Sequence, residues 1–92
     1  MPMEKKDIKL ILTNPHKDIL DYILSIVNLT ERELEAITLV DIKGKTEERA
    51  SEQMNISLRN IQRTRVSAYN KLEKVWSNSS LVQLLLKMLK EN

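Results

Sequence analysis

Ninety-two residues allow one small domain, and isoleucine, leucine and valine, at 28 of the 92, supply enough aliphatic surface for a core and exclude intrinsic disorder. One glycine and two prolines give too little turn punctuation for a sandwich or barrel of short strands, and the length excludes a long parallel α/β fold. The net charge is only +2 but uneven: residues 31–54 carry four positive and seven negative side chains, residues 55–76 five positive and one negative.

The chain has no cysteine, so disulfides, thiolate nucleophiles and cysteine metal sites are excluded. The single histidine, His16, cannot build a zinc site of several imidazoles. No nucleophile–base arrangement, phosphate loop or metal-ligand spacing is visible, so neither an enzyme, a metal nor a cofactor is expected. Lys9 interrupts the first apolar stretch, which therefore does not read as a signal peptide. No uncharged apolar run approaches the roughly 20 residues that cross a bilayer. The expected location is the cytoplasm.

Residues 1–13 form a charged start followed by Ile8-Lys-Leu-Ile-Leu12, read either as a short helix or as an extended arm. Asn14-Pro15 predicts the start of a helix, with asparagine as cap and proline at the first helical position. Ile19, Leu20, Ile23, Leu24 and Val27 recur at helical spacing up to about Asn28. Thr30-Glu-Arg-Glu33 has the pattern of a capping box. Leu34, Ile37 and Leu39 or Val40 supply the buried face behind it, and Gly44 marks the stop.

Thr46 caps a short helix, with Glu47 and Glu48 at its positive end and Ala50 and Met54 inside. Asn55-Ile56-Ser57 is a turn, and Ser57 caps a longer helix from Leu58 to about Trp76. At about 100° per residue, Ile61, Ala68 and Leu72 share its inner face. Arg59, Arg63, Val66 and Asn70 lie opposite, with Gln62 at the edge. Asn78-Ser-Ser80 breaks the chain before a last helix, Leu81 to Lys90, which is apolar nearly all round and needs covering on more than one side. The expected fold is all-α with four to five helices. Residues 1–28 form an N-terminal arm and helix, and residues 29–92 one compact unit.

Short helix, turn and basic helix between Thr46 and Leu72 are the layout of a helix-turn-helix, and the last helix, Leu81 to Lys90, is expected to be a C-terminal dimerisation helix. The second helix must be polar outside to enter a major groove about 12 Å wide, and apolar inside to be braced by the first. The sequence here resembles the LuxR/GerE-type DNA-binding domain: Leu29-Thr-x-Arg-Glu33, then Gly44-x-Thr46, Met54-Asn-Ile-Ser57, Ile61 and Lys71-Leu72. Sigma factor region four has a related layout, and its Ala-x-x-Lys-Leu ending is matched by Ala68 to Leu72. The resemblance spans about residues 29–89. Against its pattern, Arg49-Ala50-Ser51 replaces Glu-Ile-Ala, Asn55 replaces a turn glycine, Thr64 a histidine and Arg65 an apolar residue, and one extra residue precedes Gly44.

The resemblance implies base contacts from Arg59, Gln62 and Arg63, and phosphate contacts from Thr46, Ser57, Asn60 and Lys71. It also implies a dimer interface on the last helix, for which Leu81, Leu84, Leu85 and Met88 are the candidates. Arg65 lies about 40° from the buried direction. It is read either as an internal partner of a carboxylate or as a DNA contact. Arg49 is read as a surface or intramolecular pair, with a phosphate contact the other possibility. At their helical spacing Tyr69 and Trp76 read as core or interface residues rather than base-stacking ones, and His16 as exposed. Glu31, Glu33, Glu35, Glu47, Glu48 and Glu52 read as caps and solvated faces. The expected function is a bacterial or phage transcription regulator that binds double-stranded DNA as a homodimer. The alternatives are a module that binds RNA polymerase or another regulator, and a DNA-recognition subunit of a phage packaging machine.

Overall fold

A computed structural model describes residues 3–91. Among them are six α-helices and no strand: α1 (Lys5–Leu12), α2 (Lys17–Ser25), α3 (Glu31–Ile37), α4 (Glu47–Met54), α5 (Leu58–Trp76) and α6 (Ser80–Lys90), with a π segment (Thr38–Ile42) continuing α3. The count exceeds the expected four to five because the opening segment is helical rather than extended; Met1 and Pro2 lie outside the described residues. The fold is all-α as expected, but it groups differently. One compact unit is Leu29–Ala68, and the other joins the chain up to Asn28 with the chain from Tyr69 onward.

Local chemistry sets the boundaries within Leu29–Ala68. The Thr30 hydroxyl accepts from the Glu33 N–H at 3.1 Å, and Glu33 Oε1 accepts from the Thr30 N–H at 2.8 Å, closing the capping box. Glu33 is a cap as expected but not a solvated one: it is buried, and its other oxygen accepts from the Ser67 hydroxyl of α5 at 2.6 Å. After Ile37 the helix widens. The Lys43 N–H donates to the Thr38 carbonyl five residues back at 2.9 Å, so the wide turn takes up one residue more than an α turn would. Gly44 ends the run at φ +75°, a conformation that costs glycine nothing. Thr46 Oγ1 accepts from the Arg49 N–H and starts α4. Asn55 stops it in the left-handed region at φ 58°, ψ 44°, where asparagine is tolerated. Ser57 Oγ then accepts from the Asn60 N–H at 3.1 Å and starts α5.

The core of this unit is Ala36, Leu39, Ala50 and Ile61, with Val40, Met54 and Ile56 packed against it. The alanine at position 50 lets α4 approach closely. Leu34, expected in the buried face, is instead exposed; the wholly buried positions of α3 are Ala36 and Ile37. The inward stripe runs through Glu33, Ala36, Ile37 and Leu39, so Ile37 and Leu39 are buried as expected and Leu34 falls just outside it.

In the other unit Ile8, Ile11 and Leu12 of α1 are buried, as are Leu20 and Ile23 of α2 and Val82, Leu85 and Leu86 of α6. α2 begins two residues later than Asn14-Pro15 predicted, with His16 at the cap position. The reason is visible in Asn14: its amide donates back to the Ile11 carbonyl and its Oδ1 accepts from the His16 N–H, so this buried side chain closes α1 rather than capping α2. Val27, expected inside the helix, is buried beyond its end. Trp76 is wholly buried, and its indole N–H donates to the Ile23 carbonyl at 2.9 Å. Asp7 of α1 pairs with Lys90 of α6 at 3.0 Å. The hydrogen bond from Lys90 holds the Asp7 carboxyl below the ordinary carboxylate range, with burial opposing. Ser79 Oγ caps α6 by accepting from the Val82 N–H.

Candidate nucleic-acid interface

Nineteen residues of α5 divide sharply by side. Ile61, Ala68 and Leu72 are wholly buried, whereas Arg59, Gln62, Arg63, Val66 and Asn70 are exposed, as their spacing predicts. Arg59 and Arg63 stand four residues apart, one helical turn, and Gln62 lies beside them. Among the described residues neither arginine forms an ion pair. Two fixed cations and one carboxamide therefore face outward from the first turns of a helix braced from behind by α4.

Arg65 is turned inward. Its guanidinium grips Asp41 of the π segment bidentately, Nε to Oδ2 at 3.1 Å and Nη2 to Oδ1 at 2.8 Å. Its remaining nitrogen, Nη1, donates to Glu47 Oε2 at 2.7 Å. The Asp41 side chain is completely buried, and Arg65 and Glu47 are 21% and 28% exposed. Of the two readings of Arg65, this geometry supports the internal one. The same network corrects the reading of Glu47 as a solvated cap. Its second oxygen, Oε1, lies 3.4 Å from Gln62 Nε2, so the carboxylate bridges α4 to the outer face of α5. Asp41 and Glu47 were missed as partners, although a guanidinium so close to a buried direction demands a carboxylate.

The candidate phosphate contacts separate. Thr46, Ser57 and Asn60 are exposed and, with Arg59, Gln62 and Arg63, belong to Leu29–Ala68. Both hydroxyls accept a backbone N–H as caps and retain their own proton to donate. Lys71 belongs to the other unit, where its ammonium donates to the Asn28 carbonyl at 3.5 Å. Arg49 is exposed on α4.

The four candidates for an interface on α6 do not share a face. Leu81, Leu84 and Met88 are 46%, 56% and 54% exposed and fall three and four residues apart on one side. Leu85 is buried within its own unit and is corrected to a core residue. A second apolar stripe, Ile19, Tyr22 and Ile26, is exposed along α2 and the residue after it. No described helix is long and apolar enough to cross a membrane. Among the described residues no cluster of three or more acidic or histidine side chains could hold a metal ion. The chain matches no family model, and comparison with curated proteins and with solved structures also gave no match.

Proposed function

We propose that the chain is a sequence-specific regulator of transcription that binds double-stranded DNA, with α4, its turn and α5 acting as a helix-turn-helix of the LuxR/GerE type. One observation carries the reading: Arg59, Gln62 and Arg63 stand exposed and close together at the start of a helix whose opposite face is core. Arginine can bind guanine bidentately, and glutamine can pair with adenine. The cap hydroxyls of Thr46 and Ser57 and the side chain of Asn60 are the candidates for phosphate contacts beside them. Leu81, Leu84 and Met88 fit the surface of a homodimer, which would present two such helices to a palindromic site.

Selection of bound duplexes from a random pool, followed by titration against salt, tests the reading. The expected result is a palindromic consensus whose affinity falls with a log–log slope of about −4 to −5, for roughly five neutralised phosphates. Arg63→Ala should cost about 1–3 kcal/mol on that consensus and much less on unrelated duplexes. No enrichment and no salt dependence would overturn it. Such a result would favour the protein-interaction reading, for which the exposed stripe of Ile19, Tyr22 and Ile26 is the supporting observation.

A further inference from the structure

We propose that Glu47 is a positioning residue that orients the Gln62 carboxamide for adenine, an inference that rests on the DNA-binding reading. Four side chains form a relay from the interior to the outer face of α5. Buried Asp41 fixes Arg65 through two bonds, Arg65 fixes Glu47 Oε2 at 2.7 Å, and Glu47 Oε1 meets Gln62 Nε2 at 3.4 Å. Glu47 is thus the one link with an oxygen committed to each side.

The chemistry chooses the orientation of Gln62. A carboxylate paired with a guanidinium is an acceptor only, so it attracts the amide nitrogen and repels the amide oxygen. Two carboxamide orientations would otherwise be nearly equivalent in shape. With one N–H given to Glu47, the other N–H and the carbonyl oxygen remain for a ligand. One donor beside one acceptor is what the adenine edge in the major groove requires, at N7 and the N6 amino group. Guanine offers two acceptors on that edge and is matched by two donors instead. Glu47 never needs to touch DNA to set this preference.

The proposal predicts an effect on discrimination rather than on affinity alone. After selection on the unaltered chain, each adenine of the consensus is replaced singly by 7-deazaadenine, which keeps pairing but removes the N7 acceptor. At one position per half-site the unaltered chain should bind about 10-fold more weakly, the loss of one of two hydrogen bonds to the base. In Glu47→Ala the Gln62 carboxamide is free to turn two donors outward, so the preference for adenine over guanine at that position should shrink markedly, as it should in Gln62→Ala, with no further change in the double variant. Glu47→Gln supplies the isosteric counterpart. Arg65 would draw in the new amide oxygen, leaving an NH2 group facing Gln62, which would turn its own oxygen inward and present two donors. Preference at that position should then move from adenine toward guanine. Helical circular dichroism identifies any variant that does not fold, and the isosteric Glu47→Gln then decides. An unchanged preference for adenine over guanine in folded Glu47→Ala, an adenine preference unchanged in Glu47→Gln, or no sensitive adenine for the unaltered chain would each overturn the proposal while leaving DNA binding intact. Failure of the unaltered chain to select any duplex would instead overturn the functional reading beneath it.

Discussion

Arg65 pairs with two carboxylates of Leu29–Ala68 at once, Asp41 and Glu47. The first is a fully buried carboxylate, and removing Arg65 would take two charge-assisted hydrogen bonds from that group. Arg65→Ala should therefore lower stability to urea by about 3–5 kcal/mol. Replacing the pair together, Arg65→Met with Asp41→Leu, should cost less, because the buried charge then leaves with its partner and only the partly exposed Glu47 loses an ion pair. If Arg65→Ala unfolded at the same urea concentration as the unaltered chain, the guanidinium would not be the counter-ion of Asp41. Position by position, the sequence was informative where one side chain acts on its own neighbours. Asn55 in the left-handed region and the capping hydroxyls of Thr30, Thr46 and Ser57 are local devices, and each was legible from type and spacing. The Asp41–Arg65–Glu47 network was not, because its members lie up to 24 residues apart and meet only through packing.

At the level of helices, spacing predicted which side of α5 is buried, since a long amphipathic run averages over local irregularity. Short elements were less legible. α1 offered too few turns to choose between helix and arm, and the start of α2 was displaced because Asn14 serves the preceding helix. The pairing of α1 with α6 gives a pH-dependent contribution. The Asp7 carboxyl is held below its ordinary value, first by its hydrogen bond to Lys90. A carboxyl lowered on folding adds stability in full above the unfolded value, about 3.9, and loses it as the pH falls through the folded value. Asp7→Asn should therefore be less stable than the unaltered chain at neutral pH, with the gap closing below about pH 4. Thermal unfolding across that range is the measurement, and a gap constant down to pH 2 would exclude the ion pair as its source.

For the molecule as a whole, α6 separates an internal from an external role within one helix. Leu84 is exposed and Leu85 buried, so adjacent substitutions should have different consequences. In the proposed homodimer, Leu84→Asp should halve the mass seen by sedimentation while the helical content stays intact. Leu85→Asp places a charge in the core and should unfold the chain by several kcal/mol, whatever the assembly. A single mass for the unaltered chain and Leu84→Asp would remove this face from any self-association. The sequence reading treated all four apolar candidates alike, because a helix apolar on nearly every side carries no phase in its hydrophobic pattern. Only the position of the rest of the unit decides which leucine is spent inside.

The widened stretch at Thr38–Ile42 ties the spelling of the chain to its charge pattern. Deleting one residue there would let ordinary helix close up, with the flanking segments keeping their phase. What vanishes is the wide helical turn from which Asp41 reaches its cation. Length and acid at this spot are therefore a matched set: a shorter descendant that kept Arg65 would have to find it another anion, or swap it for something greasy.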